Sequence, residues 1–211
     1  MKAMDAELSL KRKISVLRGI VDSFYADVDS PIIFDKSRGW IAHFEMLNSV
    51  LEYPTKVLVP VRDLRDVLAS FEKLHRKKSA LGQTKEEALN YVGFQTVEQR
   101  CDTWVKANEP IGLAYNRIKD ALQRGWQSSM FFVDYDKFCK NPERMMKNIY
   151  EFLGEEYYQH NFKNVEQVTW EDDSVHGVPL HGIRNEIKPQ PPQYPSILGS
   201  VADKYKGQEV W

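Results

Sequence analysis

The sequence predicts an α/β fold, in which a parallel sheet is flanked by helices. Three short apolar runs lie at residues 31–34, 57–61 and 130–133, and long stretches with helical periodicity separate them. Strands that alternate with helices pair in parallel, because each helix returns the chain to the same end of the sheet. Polar or charged residues follow each run, at the carboxyl ends where parallel sheets bind their ligands. The three strand ends are therefore able to converge on one site.

Composition predicts one domain spanning residues 1–211, with an irregular proline-rich segment at about residues 174–195. Apolar residues make up 42% of the chain, which is enough for a sizeable core. The net charge of −1 argues against nucleic acid or an anionic membrane surface as a partner. Cys101 and Cys139 are the only cysteines, so neither a disulfide framework nor a metal-binding cysteine pattern is present.

The amino-terminal residues and the hydropathy pattern indicate a cytoplasmic location. The first residues are charged and contain no apolar segment of the signal-peptide kind. No apolar run approaches the roughly 18 residues that a membrane-spanning helix requires.

Helical periodicity supplies the remaining elements. Five apolar residues spaced four and three apart predict an amphipathic helix over residues 5–27: Leu10, Ile14, Leu17, Val21 and Phe24. Further helices are predicted over residues 40–51, 64–77, 84–108, 110–122, 142–153 and 196–205. Thr84 and Glu87 are interpreted as a capping box, Asn141 as an N-cap and Gly154 as a C-terminal stop.

Residues 56–70 hold the most informative pattern. A short apolar run ends at Arg62-Asp63, and an amphipathic helical pattern follows at once. Arg62 therefore stands at the carboxyl end of a strand, and Ser70 lies two turns into the next helix. A guanidinium fork and a hydroxyl can together bind one anionic group, such as a phosphate. The alternative is that Arg62 pairs with Asp63 or Asp66, and that Ser70 is a helix-surface residue.

Residues 62–70, with the sequence R-D-L-R-D-V-L-A-S, resemble the 3′-phosphate-binding strand and helix of sulfotransferases that use 3′-phosphoadenosine 5′-phosphosulfate (PAPS). Leu64 replaces the proline that is usual in that family. Two later segments resemble another family motif, Y-D-K-F-C-K-N-P at residues 135–142 and I-Y-E-F-L-G at residues 149–154.

Two further segments extend this resemblance over about residues 31–185. Residues 32–40 are similar to the D-K-S strand end of bacterial and heparan-type members. Residues 181–184, H-G-I-R, resemble the late basic loop that closes over the nucleotide. The order and spacing of the segments agree with the family, which implies a sulfotransferase-like domain with a P-loop-like fold.

The resemblance implies transfer of sulfonate from PAPS, as co-substrate, to a hydroxyl or amine of a small-molecule or carbohydrate acceptor, without a metal. It assigns Arg62 and Ser70 to the 3′-phosphate of the donor. It assigns Tyr135 to stacking on or hydrogen bonding with the nucleotide, and Arg184 to the 3′-phosphate from the late loop. For Tyr135 the alternative is a strand-end tyrosine with a hydrated hydroxyl.

Lys36 is the cationic catalyst that the resemblance implies, placed to neutralise the transferring sulfonate or the leaving oxygen. Its alternative is a surface salt bridge with Asp35, which contributes little energy. Arg38 is a weaker candidate for the same role. His43 and Glu45 are interpreted as solvent-facing helix positions rather than bases.

One family feature is not found in this sequence. The family opens with a strand and a phosphate loop of the pattern P-[RK]-S-G-[ST]-T, whose backbone N–H groups bind the 5′-phosphosulfate. The sequence therefore resembles an N-terminally truncated sulfotransferase that is missing the first strand and loop. The alternative function is a non-enzymatic remnant or a nucleotide-binding subunit that a partner completes, including self-association through an exposed sheet edge.

Overall fold

The computed structural model describes residues 2–30, 32–37, 39–80, 92–168 and 182–208. The chain divides into two compact units. The first unit comprises Met1–Val57 and Arg117–Met130, and the second comprises Leu58–Asn116 and Phe131–Trp211.

Helices α1 and α2 and a short 3-10 helix lie in the first unit. Helix α1 spans Lys2–Phe24, the 3-10 helix spans Trp40–Ala42 and α2 spans Phe44–Leu51. Nε of Arg18 on α1 donates to the carbonyl of Val50, 2.8 Å away, which ties α1 to α2. The two helices predicted for this region are confirmed, with a 3-10 turn at the start of the second.

The apolar stripe that predicts α1 is largely exposed. Leu10 is 58% exposed and Phe24 is 73% exposed. Amphipathic periodicity identifies a helix from its local pattern, whereas burial of its apolar face depends on other parts of the structure. Among the described residues, no helix is both long enough and apolar enough to cross a membrane.

Residues 32–34 do not form the strand that their apolar character predicts. Ile33 and Phe34 are 45% and 69% exposed, and the segment carries no strand pairing. A strand requires hydrogen bonds to a neighbouring strand, so an apolar run alone does not define one. The prediction of three strands is therefore wrong for the described residues, in which the sheet has two.

The two remaining predicted strands pair in parallel. Strand β1 spans Val57–Val61, and its neighbour β2 spans Met130–Asp134. Helix α3, Leu64–Ala80, follows β1 after two charged residues, and α6, Tyr135–Lys140, follows β2 directly. The predicted α/β class is confirmed, with a sheet reduced to two strands in the described residues.

The chain between α3 and β2 differs from the single helix predicted over residues 84–108. Val92–Phe94 forms a 3-10 helix, and helix α4 spans Val97–Trp104. A capping box begins α4, because the Thr96 side chain accepts from the Gln99 N–H and the Gln99 side chain accepts from the Thr96 N–H. The capping box predicted earlier in the chain lies outside the described residues.

The later helices agree with the sequence. Helix α5 spans Pro110–Gln123, α7 spans Pro142–Leu153, α8 spans Tyr194–Leu198, and a 3-10 helix continues over Gly199–Tyr205. Asn141 caps α7 by accepting from the N–H of Arg144 at 3.2 Å, and Gly154 ends it with a φ of 79°. Within the predicted proline-rich segment, residues 182–193 contain no helix or strand, whereas residues 194 and 195 begin α8.

The core of the second unit forms around α3. Buried side chains from α3, α4 and the carboxyl-terminal helices pack together: Leu64, Leu68, Ala69, Cys101, Trp104, Leu198, Ala202 and Tyr205. This packing holds α3 against the chain that follows the proline-rich segment. It therefore also fixes the residues between β1 and α3, which the sequence predicts as an anion site.

A buried ion pair crosses the same core. Glu72 on α3 is fully buried and accepts hydrogen bonds from Nε and Nη2 of Arg100 on α4, each at 2.8 Å. Arg76 adds a third hydrogen bond at 2.7 Å. Burial alone raises the pKa of Glu72, but the bonds from Arg100 and Arg76 outweigh it and hold the pKa below its ordinary value. Glu72 is therefore ionised at neutral pH and joins α3 to α4.

Replacing Glu72 with alanine is expected to lower the free energy of unfolding by about 3–5 kcal/mol, because Arg100 is left buried without its partner. Urea denaturation followed by circular dichroism measures this change. As a control, Glu143→Ala removes an exposed 2.7 Å pair with Lys147 and is expected to lower the stability by less than about 1 kcal/mol. Similar losses in the two variants would contradict a special role for Glu72.

Candidate functional site

Arg62 and Tyr135 meet at the carboxyl ends of the two strands. Arg62 follows the last residue of β1, and Tyr135 follows the last residue of β2. Parallel strands end at the same edge of a sheet, so side chains far apart in sequence are brought together. Cζ of Arg62 lies 4.7 Å from the centroid of the Tyr135 ring, which is a cation–π contact.

The guanidinium of Arg62 is largely buried, with 23% of the side chain exposed. Nη2 donates to Oδ2 of Asp66 at 3.0 Å, whereas Nε lies 3.8 Å from Oδ1 of Asp136, beyond hydrogen-bonding distance. Nε is buried and has no hydrogen-bond partner among the described residues. The sequence alternative that pairs Arg62 with Asp66 is thus observed, while Asp63 pairs with Arg65. This pairing occupies Nη2, and an anion can reach the guanidinium only through the exposed 23% of the side chain.

Asp66 makes contacts that the sequence does not indicate. It is 4% exposed, and Oδ1 accepts from the backbone N–H of Gln193 at 2.8 Å and of Tyr194 at 3.3 Å. These N–H groups stand at the start of α8, so a side chain on α3 caps a distant helix. The sequence offered both Asp63 and Asp66 as partners of Arg62, whereas no local pattern indicates the contact with α8.

Ser70 lies one turn beyond Asp66 on α3. Residues four apart share one face of a helix, so Ser70 stands on the face that carries the partner of Arg62. Its side chain is exposed, and within the described structure no hydrogen bond joins it to Arg62. The assignment of Ser70 to the 3′-phosphate therefore remains a prediction.

Arg184 lies close enough to Tyr135 to influence its hydroxyl. Burial raises the pKa of Tyr135, and a hydrogen bond with the Cys139 side chain adds to this rise. The positive charges of Arg184 and Arg62 act in the opposite direction. The structure thus brings three of the predicted binding residues into one region of the second unit, with Arg184 exposed to solvent.

Lys36 belongs to the first unit, where its side chain is exposed. The neighbouring Asp35 accepts hydrogen bonds from the hydroxyl of Tyr25 and from Nε1 of Trp40, each at 2.7 Å. These bonds hold the extended segment beside Lys36 against the turn that follows α1 and against the 3-10 helix. Arg38 lies outside the described residues.

Glu45 is ion-paired at an exposed position. Hydrogen bonds from Arg124 and Trp126 lower the pKa of Glu45 to about 2, with the bond from Arg124 as the largest cause. A carboxylate with so low a pKa is a weak proton acceptor near neutral pH. The interpretation of Glu45 and His43 as exposed positions is confirmed.

The family model for the sulfotransferase domain matches residues 35–174 of this chain, which is more than half of its length. The chain therefore belongs to the sulfotransferase domain family, as the resemblance implied. The matched range contains Lys36, Arg62, Ser70 and Tyr135 and ends before Arg184. A search of curated protein sequences finds no match.

A solved structure titled "Sulfotransferase Domain from the Curacin Biosynthetic Pathway" shares the fold. It superposes with a TM-score of 0.51 and 15% sequence identity, and the alignment covers 100% of this chain and 69% of that one. The similarity establishes the fold, and the expected sulfotransferase fold is confirmed. Together with the family, it supports a sulfotransferase-type transfer as the class of reaction.

Replacing Asp35 with alanine is expected to loosen the segment beside Lys36, because the bonds from Tyr25 and Trp40 are lost. Amide hydrogen exchange over residues 32–37, followed by mass spectrometry, is expected to become roughly tenfold faster. Asp22→Ala on the exposed surface of α1 is the control and should leave this exchange unchanged. Equal exchange in the Asp35 variant and the parent would show that these bonds do not hold the segment.

Proposed function

We propose that this protein binds PAPS and transfers its sulfonate to a hydroxyl or amine of a small-molecule or carbohydrate acceptor. The proposal is carried by the guanidinium of Arg62, which follows β1, is held by Asp66 and lies over the ring of Tyr135. Its buried Nε has no hydrogen-bond partner within the described chain. The guanidinium is partly accessible, since 23% of the side chain is exposed, and phosphate oxygens match the geometry of a guanidinium.

The side chains around Arg62 fit the 3′-phosphoadenosine part of PAPS. Arg62 and Arg184 supply positive charge for the 3′-phosphate, and Ser70 supplies a hydroxyl. Tyr135 supplies an aromatic face for the nucleotide. When bound, PAPS provides the activated sulfonate, while these residues bind and orient the donor.

Lys36 is assigned to the chemical step. In sulfuryl transfer, as in phosphoryl transfer, negative charge develops on the leaving oxygen and on the equatorial oxygens. An ammonium group stabilises this charge most strongly in the transition state, where the charge is greatest. Glu45 is not assigned as the base, because its pKa of about 2 makes it a weak proton acceptor.

Replacing Arg62 with alanine is expected to remove most of the preference for a 3′-phosphate. Calorimetry compares the dissociation constants of 3′-phosphoadenosine 5′-phosphate and adenosine 5′-phosphate, which differ only in that group. The ratio of the two constants is expected to fall roughly 30-fold, because a charge-assisted contact to phosphate is lost. A parent protein that binds both nucleotides equally would refute the assignment.

Two further variants control for charge and for folding. Arg144→Ala removes an exposed arginine on α7 and is expected to change the ratio by less than about twofold, since exposed charges are screened. Arg62→Lys keeps a positive charge beside Asp66 but lacks the planar fork. The Arg62→Lys variant is expected to remain folded and to lose much of the preference for a nucleotide with a 3′-phosphate.

Replacing Lys36 with alanine is expected to lower turnover with PAPS roughly 100-fold, because a charge that stabilises the transition state is removed. Release of 3′-phosphoadenosine 5′-phosphate over a panel of phenols, sugars and amines measures turnover. The dissociation constant of the same nucleotide is expected to change by less than about threefold, because Lys36 is assigned to the sulfonate. Nucleotide binding without turnover in the parent protein would instead indicate a non-enzymatic nucleotide-binding subunit.

A further inference from the structure

We propose that Asp66 is a positioning residue, which sets 3′-phosphate recognition by holding Arg62 and the late basic segment in one arrangement. The inference rests on the proposed function, since it concerns the same anion site. Asp66 is 4% exposed, and its two carboxylate oxygens serve different parts of the chain. Oδ2 accepts from Arg62 at 3.0 Å, and Oδ1 accepts from the backbone of Gln193 and Tyr194.

The first contact restricts the guanidinium. A free arginine side chain samples many rotamers, and fixing one of them on binding opposes association. The bond from Nη2 to Asp66 and the contact with the Tyr135 ring select one arrangement before any anion binds. In this arrangement Nε remains buried and has no hydrogen-bond partner among the described residues. The guanidinium is therefore preorganised, because its orientation is already set in the free protein.

The second contact fixes the end of the segment that carries Arg184. Gln193 closes this irregular segment, and its N–H donates to Asp66 at 2.8 Å. The side chain of Gln193 also accepts from Nζ of Lys73 on α3 at 2.8 Å, and Nη2 of Arg76 donates to the carbonyl of Ile197 at 2.9 Å. Of the three α3 residues that contact this part of the chain, Asp66, Lys73 and Arg76, Asp66 also contacts Arg62. It therefore couples the arginine after β1 to the segment that carries the second arginine.

A purely electrostatic role and a positioning role of Asp66 predict opposite changes in phosphate binding when Asp66 is neutralised. Asp66 carries negative charge next to an anion site, as does Asp136 at 3.8 Å from Nε of Arg62. If Asp66 acted only through its charge, neutralising it would strengthen the binding of a phosphate. If it positions Arg62 and the late segment, neutralising it weakens discrimination, because a neutral amide holds a guanidinium less firmly than a carboxylate does. The direction of the change therefore separates the two effects.

The experiment uses the full chain and the variants Asp66→Asn, Arg62→Ala and the double variant. Calorimetry gives the dissociation constants of 3′-phosphoadenosine 5′-phosphate and adenosine 5′-phosphate for each protein. Asp66→Asn is expected to lower the preference for the 3′-phosphate roughly tenfold. In the double variant the loss of preference should be smaller than the product of the two single losses, since Asp66 acts in part through Arg62.

The control is Asp63→Asn, which removes an equal charge one turn away while an amide oxygen can still accept from the N–H of Arg65. It is expected to change the preference by less than about twofold. An unchanged or increased preference in Asp66→Asn, with normal loss in Arg62→Ala, would overturn the positioning role and leave the proposed function intact. Equal weakening of both nucleotides would also overturn it, because that result indicates a general structural defect. A parent protein without any preference would refute the proposed function and this inference together.

Discussion

The buried carboxylate of Glu72 is the constraint on which the second unit depends. A charge in the protein interior is tolerated only when it is paired and hydrogen-bonded, and Arg100 and Arg76 together supply three bonds. Arg100 donates from two nitrogens of its planar group, so α4 is held in one orientation against α3. Arg76 also donates to the carbonyl of Ile197 and thereby ties α8 to the same helix. Helix α3 is thus fixed on two sides by one ionised group and its partners.

The anion site is a consequence of how α3 is fixed. The two residues between β1 and α3 are held in place because α3 is held in place. The parallel pairing of β1 with β2 places Tyr135 beside Arg62. Asp66 then links the same region to the start of α8. An arginine at a strand end forms a specific anion site only when its guanidinium is held in one orientation. The buried carboxylate of Asp66 holds the guanidinium of Arg62 in this way. Stability and recognition therefore share α3 as a common element.

The sequence identified the members of the site better than their contacts. Arg62, Tyr135 and Arg184 were each predicted, and the structure brings them into one region. The pairing of Arg62 with Asp66 was one of two alternatives, because a local pattern offers Asp63 and Asp66 equally. The bonds from Asp66 to the α8 backbone had no sequence signal, since backbone donors are present at nearly every residue. Lys36 and Ser70 keep the roles that the family resemblance implies, as proposals.

The sequence by itself determined the elements whose causes are local. The caps at Asn141 and Gly154, the strand before Arg62 and the periodicity of α1 each depend on residues within a few positions of one another. Only the tertiary structure decided which apolar segments are buried, since the stripe of α1 is exposed while that of α3 forms a core. It also decided which charge pairs with which, and that residues 32–34 join no strand. Burial, ion pairing and strand pairing require partners distant in sequence, and a local pattern does not identify those partners.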